Sequence, residues 1–134
     1  MRLVNTVLAA AALSLALAAP ASAKPPLSQV SEIDDGLMAV AIADEIRKRC
    51  DDIRARMIKA LSVVNALESR AKDMGYSDDE IEDYVTSKSE KKRMRKKATA
   101  YLASQGVTAS DTAQLCSFGK KQMAKATSIG ILLR

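Results

Sequence analysis

Apolar side chains spaced at the turns of a helix constrain this fold more than any other feature of the sequence. Across residues 53–74 the apolar positions alternate in steps of four and three, and Ile58 and Leu61 widen the resulting stripe. In a helix such positions lie on one face, which a neighbouring helix can bury. Asp51 or Asp52 can cap the start of this helix. We therefore expect a helix that follows this Asp pair, with Ile58 and Leu61 facing the core.

The same helical spacing recurs along the rest of the chain, where polar capping residues or glycines bound each segment. No strand-type alternation, hairpin dipeptide or internal repeat competes with it. The sequence therefore predicts an all-α fold, a small bundle of four to five helices with short connections. The apolar end of the chain, residues 128–134, is expected to dock on the core. The expected N-caps of the other helices are Asp34, Ser77, Ser87 and either Thr108 or Ser110, and the expected stops include Gly75 and Gly106.

The first 23 residues have the features of an export signal. Arg2 precedes a nearly continuous apolar run over residues 3–19, Pro20 then ends the run, and the small residues Ala21 and Ala23 suit signal peptidase. A retained membrane anchor is the alternative, but the run is shorter than the roughly 20 apolar residues that span a bilayer. We expect cleavage after Ala23 and export to the periplasm or beyond.

Removal of the signal, residues 1–23, leaves a chain of one domain's length. Residues 24–33 begin with Lys-Pro-Pro, which cannot start a helix, and are expected to form an extended leader. Residues 34–134 are expected to form a single helical domain. Its core must be aliphatic, because the sequence contains one Phe, three Tyr and no Trp.

The sequence contains no histidine, which narrows the chemistry that the chain can support. The usual general base near neutral pH, the His-paired nucleophiles and the imidazole ligands of zinc are all missing. The acidic pairs stand at predicted helix starts, where capping and the helix dipole account for them. We therefore assign no catalytic residue, metal ligand or cofactor, and favour a non-enzymatic protein over a carboxylate-based enzyme.

The two cysteines, Cys50 and Cys116, are expected to form a disulfide. An even number of cysteines in a small exported domain favours pairing, because the space outside the cytoplasm oxidises thiols. The alternative is two separately buried thiols, which pack as small apolar groups. A redox-active role is less favoured, since the pair lacks the close spacing that lowers a thiol pKa.

The most basic part of the sequence is the predicted helix at residues 88–97. A solvated surface explains its charge, and a binding face for an acidic protein or an anionic membrane is the alternative. Nucleic acid is excluded as a partner by the expected export and by the shortage of stacking aromatic side chains nearby. The cations that spread over the face opposite the apolar stripe are Lys92, Arg93, Lys96 and Lys97.

Four segments carry a family resemblance, namely IDDGLMAVAIADEIRKRC, GYSDDEIEDYVTS, AYLASQGV and LCSFGKKQMAKATSIGILLR. They resemble a bacterial family of small exported proteins that is catalogued only as a domain of unknown function. The resemblance implies an exported helical domain with both cysteines in familiar contexts, and it implies no activity, cofactor or catalytic residue. We therefore expect a periplasmic protein that acts by binding, as a protein-interaction, inhibitor or stress-related module. A membrane-surface component that uses the basic helix is the alternative.

Overall fold

The computed structural model of the chain describes residues 23–134, so the predicted signal sequence lies outside the described residues except for Ala23. The described part is helical and contains no β-strand, only an isolated bridge between Ala55 and Leu133. The predicted all-α fold is therefore confirmed. Its elements in chain order are a 3-10 turn at Leu27–Gln29, α1 at Ser31–Arg49, α2 at Met57–Asp73, α3 at Asp78–Thr86, α4 at Lys88–Ser104, α5 at Thr112–Lys125 and a second 3-10 turn at Gly130–Leu132.

Helix α1 is the central element of the bundle and packs against α2, α4 and α5. Its middle turns are apolar on every side, which is the pattern of a helix surrounded by neighbours. Ile42 and Ile46 are buried there together with Leu115 of α5 and Leu132 of the C-terminal turn. The main core is aliphatic apart from Phe118, as the composition predicts.

A second, smaller core holds the first turn of α1 and the segment that precedes it. Leu27 and Ile33 are buried against Ala71, Tyr76 and Tyr84, which come from α2, the turn after it and α3. Residues 27–29 consequently form a compact turn, and the segment 24–33 is extended only in part.

The predicted N-cap at Asp34 is wrong, because α1 begins at Ser31 and Asp34 lies inside its first turns. The backbone N–H groups of Ile33 and Asp34 donate to the carbonyl oxygen of Val30 at 3.0 and 2.9 Å. Burial of Leu27 fixes the chain just before Val30, so the helix starts earlier than the polar residue suggests. The carboxylate of Asp34 is left to bind partners from other helices.

The start of α2 also differs from the prediction. Backbone hydrogen bonds join Arg54 to Arg134 in both directions, at 2.7 and 2.8 Å, and the N–H of Arg56 donates to Leu132. Because this pairing with the end of the chain holds residues 54–56 extended, α2 cannot start at the Asp51–Asp52 pair and begins at Met57.

The first turns of α2 do not face the core. Ile58 is 88% exposed and Leu61 is 61% exposed, so the prediction that both residues face the core is wrong. Met57 beside them is also largely exposed. Ala60 and Val63 make the contacts with the core instead, and the later turns of the helix are covered by α1 and α3.

The capping predictions for α3 and α4 are confirmed. The hydroxyl of Ser77 accepts from the N–H of Glu80, and the Glu80 carboxylate accepts from the N–H of Ser77, which completes a capping box. The hydroxyl of Ser87 caps α4 by accepting from the N–H of Glu90. The N-cap of α5 is Asp111 rather than Thr108 or Ser110, and its carboxylate accepts from the N–H and the side-chain amide of Gln114. A carboxylate at this position also interacts favourably with the helix dipole.

The predicted docking of the C-terminal segment is confirmed, since Ile129, Leu132 and Leu133 are buried in the main core. The pairing of Cys50 with Cys116 is also present, with the two sulfurs 2.06 Å apart. Cys50 follows the last residue of α1 and Cys116 lies in α5, so the bond fastens the central helix to its neighbour.

Gly130 is the position where an added side chain should do most local damage. A Cβ atom built there would lie 1.9 Å from the backbone oxygen of Gln122, which a helix holds in place. We expect Gly130→Ala to lower the free energy of unfolding by about 2 kcal/mol or more, as overpacking does in rigid sites. Gly106→Ala is the control, because that site is open but has a φ of +75°, and its expected cost is only about 1 kcal/mol. Urea unfolding measures both, and equal losses would contradict the steric explanation.

Candidate functional site

The structure divides the cations of α4 between two sides of the helix. Arg93 and Lys97 are about two-thirds buried and turn towards Asp34, whereas Lys92 and Lys96 point into solvent. Consecutive helix positions are about 100° apart, so adjacent residues of one basic run can face different environments. The sequence predicted one basic face that contains all four cations. The structure corrects this prediction, because Arg93 and Lys97 are already paired with Asp34.

Asp34 is the acceptor at the centre of this arrangement and is only 1% exposed. Its Oδ1 accepts from the hydroxyl of Tyr84 and from Nη2 of Arg93, each at 2.5 Å. Its Oδ2 accepts from Nη1 of Arg93 at 3.1 Å and from Nζ of Lys97 at 2.5 Å. These bonds occupy the acceptor sites of the carboxylate and include a bidentate contact with the guanidinium group. Asp34 therefore ties α1 to both α3 and α4.

The protonation states of this network follow from the same contacts. Burial acts to raise the pKa of Asp34, but the hydrogen bonds from Arg93, Lys97 and Tyr84 outweigh burial and lower it below the ordinary 3.8. Burial and the neighbouring Asp34 raise the pKa of Tyr84 well above its usual value. At neutral pH the carboxylate is thus charged and the phenol is a donor. With no free lone pair and almost no access to solvent, Asp34 is suited to holding helices together and not to proton transfer.

One signal in the sequence could have placed Asp34 correctly. Asp34, Met38 and Ile42 follow one another at steps of four, so they lie on one face of a continuous helix. An acid in phase with core residues must find cationic partners when it is buried. The i, i+4 pair Arg93 and Lys97 supplies them, but no local pattern links residues so far apart in the chain.

The remaining cations of α4 form an exposed face, which we call the outer basic face. Its members recur at steps of three and four, which places them within an arc of about 140° and along about 12 Å of helix. Within residues 23–134, none of these side chains has an acidic partner inside the 4.0 Å limit for an ion pair. The basic face predicted from the sequence shares only Lys92 and Lys96 with this set. The members of the outer basic face are Lys88, Lys91, Lys92, Arg95 and Lys96.

A groove of about 680 Å³ runs beside this face, between α1 and α4. Lys91 and Arg95 of the outer basic face also line the groove. On the α1 side, Asp44 and Glu45 are already paired with cations of their own helix. The unpaired charge at the groove is therefore positive. The apolar part of the lining includes Leu37, Ala41, Met94 and Ala98.

The described part of the chain contains neither a candidate metal cluster nor a candidate membrane span. No group of three or more His, Cys, Asp or Glu side chains in residues 23–134 is arranged to hold a metal ion. None of the helices from α1 to α5 has the length and apolar character needed to cross a membrane. The outer basic face and its groove are thus the feature of these residues that stands out chemically.

Comparisons with known proteins place the chain in a family without assigning an activity. Neither the curated proteins nor the solved structures give a significant match. A family model described as "Family of unknown function (DUF5333)" matches residues 25–134. That match spans the Asp34 network, the disulfide, the outer basic face and every helix described above. The chain therefore belongs to the DUF5333 family, whose function is unknown.

Proposed function

We propose that this chain is an exported, non-enzymatic binding protein that acts in the periplasm and holds an acidic protein segment against the outer basic face of α4. The N-terminal sequence supports export, because residues 1–23 have the charge, apolar run and small residues of a cleaved signal. The disulfide between Cys50 and Cys116 suits an oxidising compartment.

The observation that carries the proposal is the lack of internal counter-charges on the outer basic face. Like charges crowded on one helix face repel each other at a cost that acidic neighbours would relieve. For several other cations in the described residues the chain does supply such neighbours, as in the pairs of Asp44 with Lys48 and of Glu68 with Lys72. On the outer basic face it supplies none, so carboxylates of a partner are the groups that complete it.

The groove indicates what kind of acidic segment fits. Its apolar lining can take side chains that leave water, and Lys91 and Arg95 stand where the groove meets the outer basic face. A helix with apolar residues on one side and acidic residues beside them satisfies both parts of this surface. We therefore propose an acidic amphipathic helix as the occupant.

The Asp34 network prepares α4 for this role. It fixes the helix to α1 and α3 through Arg93, Lys97 and Tyr84 before any partner arrives. A binding face that is already ordered loses less conformational entropy on association, which strengthens binding. Buried bonds on one side of α4 thus support contacts on its other side.

A pair of charge reversals tests the outer basic face. In Lys92→Glu/Lys96→Glu the changed residues lie one turn apart on α4, and Lys121→Glu/Lys125→Glu makes the same change of net charge on exposed residues of α5. We expect affinity capture from a periplasmic extract to retain a partner with the wild type and the α5 variant. The α4 variant should lose it by at least about tenfold, since close charge pairs at interfaces contribute about 1.5 kcal/mol or more.

The same capture experiment has two outcomes that would contradict the proposal. Equal capture by the α4 variant would remove the outer basic face from the interaction. Equal loss in both variants would show that only net charge matters. As a further check, binding should weaken as salt is raised, because exposed charges are screened within about 10 Å at 0.1 M salt.

A further inference from the structure

The N-terminal turns of α2 carry apolar side chains that the described residues leave largely exposed. Met57, Ile58 and Leu61 lie next to one another on the helix surface, at relative positions one, two and five. Their exposures are 62%, 88% and 61%, so three neighbouring large apolar side chains lie mostly in solvent. Single exposed apolar residues are common in proteins, but a contiguous set indicates a contact surface.

Positive charge surrounds these side chains. From Ile53 to Leu67 the sequence contains Arg54, Arg56 and Lys59 and no acidic residue. Arg56, Lys59 and Arg134 line a shallow depression of about 590 Å³ together with Met57 and Ile58. Within residues 23–134, none of these cations has an acidic partner at ion-pair distance.

The combination of exposed apolar side chains and surrounding cations favours one kind of binding partner over the others. A second copy of the chain would bring the same cations together across a two-fold axis, where they repel. A folded protein would need a pocket matched to projecting side chains such as Ile58. A bilayer with anionic lipids needs no such pocket, because its fluid interior accepts apolar side chains and its phosphates attract the cations beside them.

We propose that the start of α2 is a membrane-docking patch. Met57, Ile58 and Leu61 enter the interface of an anionic phospholipid bilayer, while Arg56 and Lys59 bind lipid phosphates. The patch lies on a different helix from the outer basic face, and α1 packs against both helices. Docking through α2 therefore uses none of the residues of the outer basic face. Because only three apolar side chains insert, this docking is reversible. Because Arg56 and Lys59 bind phosphates through charge, it also weakens as salt is raised.

A fluorescent reporter tests insertion directly. The wild-type chain has no Trp, so Ile58→Trp carries a single reporter on the patch, and Val85→Trp carries a matched one at another exposed apolar position. The full chain is exported, and the disulfide-bonded product is mixed with vesicles of phosphatidylcholine, with or without phosphatidylglycerol. We expect the Ile58→Trp emission to shift to shorter wavelength with the vesicles that contain phosphatidylglycerol and not with those that lack it. No shift, or an equal shift of both reporters, would overturn the proposal.

Vesicle sedimentation of further variants separates this patch from the outer basic face. We expect Ile58→Asp/Leu61→Asp to lower the affinity for anionic vesicles at least about tenfold, because each buried side chain of this size contributes that much. Arg56→Glu/Lys59→Glu should also lower it, and Lys92→Glu/Lys96→Glu should leave it within about twofold. If Lys92→Glu/Lys96→Glu lowered vesicle binding and the α2 variants did not, membrane binding would belong to α4 and the proposal would be overturned. The proposal would also be overturned if Ile58→Asp/Leu61→Asp lost self-association but kept its vesicle binding. All of the changed residues are exposed, so unchanged melting temperatures will show that the variants fold.

Discussion

Asp34→Asn is expected to lower the free energy of unfolding by about 3 kcal/mol, because it removes the one negative charge that Arg93 and Lys97 share inside the protein. The substitution preserves the shape of the side chain, but its amide group would point a donor at groups that are themselves donors. Arg93 and Lys97 keep about a third of their side-chain surface in water, which places the loss at the lower end of the range for buried ion pairs. Urea unfolding followed by circular dichroism measures the change.

The neighbouring residue provides the control for this experiment. Asp35 also contacts Lys97, at 2.5 Å, but its side chain is 60% exposed. An ion pair in that position contributes at most about 1 kcal/mol, so Asp35→Asn should be nearly neutral. If both variants unfolded at the same urea concentration, burial of the Asp34 charge would not be what stabilises the protein.

The same network predicts how stability depends on pH. Its contacts lower the pKa of Asp34 in the folded protein below the ordinary 3.8 that applies to the unfolded chain. Asp34 therefore contributes its full stabilisation above pH 3.8 and loses it as the pH falls through the folded-state pKa. Asp34→Asn has no such group, so the difference in unfolding free energy between wild type and variant should shrink from about pH 6 to about pH 2. A difference that stayed constant over this interval would contradict the assignment.

Reduction of the disulfide between Cys50 and Cys116 is expected to have the largest effect on stability. The bond closes a loop across a sequence separation of 66 residues, for which the chain-entropy model gives a stabilisation of about 4 kcal/mol. A single domain of this size has a total stability of only about 5–15 kcal/mol. We therefore expect a reducing agent to lower the melting temperature by about 20 °C, as measured by circular dichroism.

A variant without cysteines separates the bond itself from side effects of the reagent. Cys50→Ala/Cys116→Ala should melt near the temperature of the reduced wild type and should not respond further to the reducing agent. A wild type whose melting temperature did not change on complete reduction, verified by thiol labelling, would show that helix packing alone carries the stability.

Local sequence signals were sufficient for several features that neighbouring residues decide. The hydroxyls of Ser77 and Ser87 cap backbone N–H groups within three residues, so the starts of α3 and α4 follow from the sequence. The apolar middle of α1 specifies a central helix for the same reason. The cysteine pairing was predictable as well, because only one intramolecular pair exists.

The remaining features depend on contacts between distant parts of the chain. Asp34 looked like a cap because an Asp before an apolar run usually is one, yet Arg93, Lys97 and Tyr84 give its carboxylate more hydrogen bonds than a capping position offers. The partners of a buried charge can come from any part of a sequence, so local spacing does not reveal them. Because the buried Asp34 binds Arg93 and Lys97, the other α4 cations are left on the outer basic face.

The start of α2 shows most clearly where the sequence stops being sufficient. Its apolar spacing specifies a helix, but only tertiary packing decides which apolar side chains are covered. Backbone pairing of residues 54–56 with the end of the chain delays the helix and leaves Ile58 in solvent. Sequence by itself determined the helical class, the caps of α3 and α4 and the covalent cross-link, because these depend on nearby residues or on a unique pair. The tertiary structure decided which charges are neutralised and which apolar surface stays open, because both depend on what the folded chain places opposite each side chain.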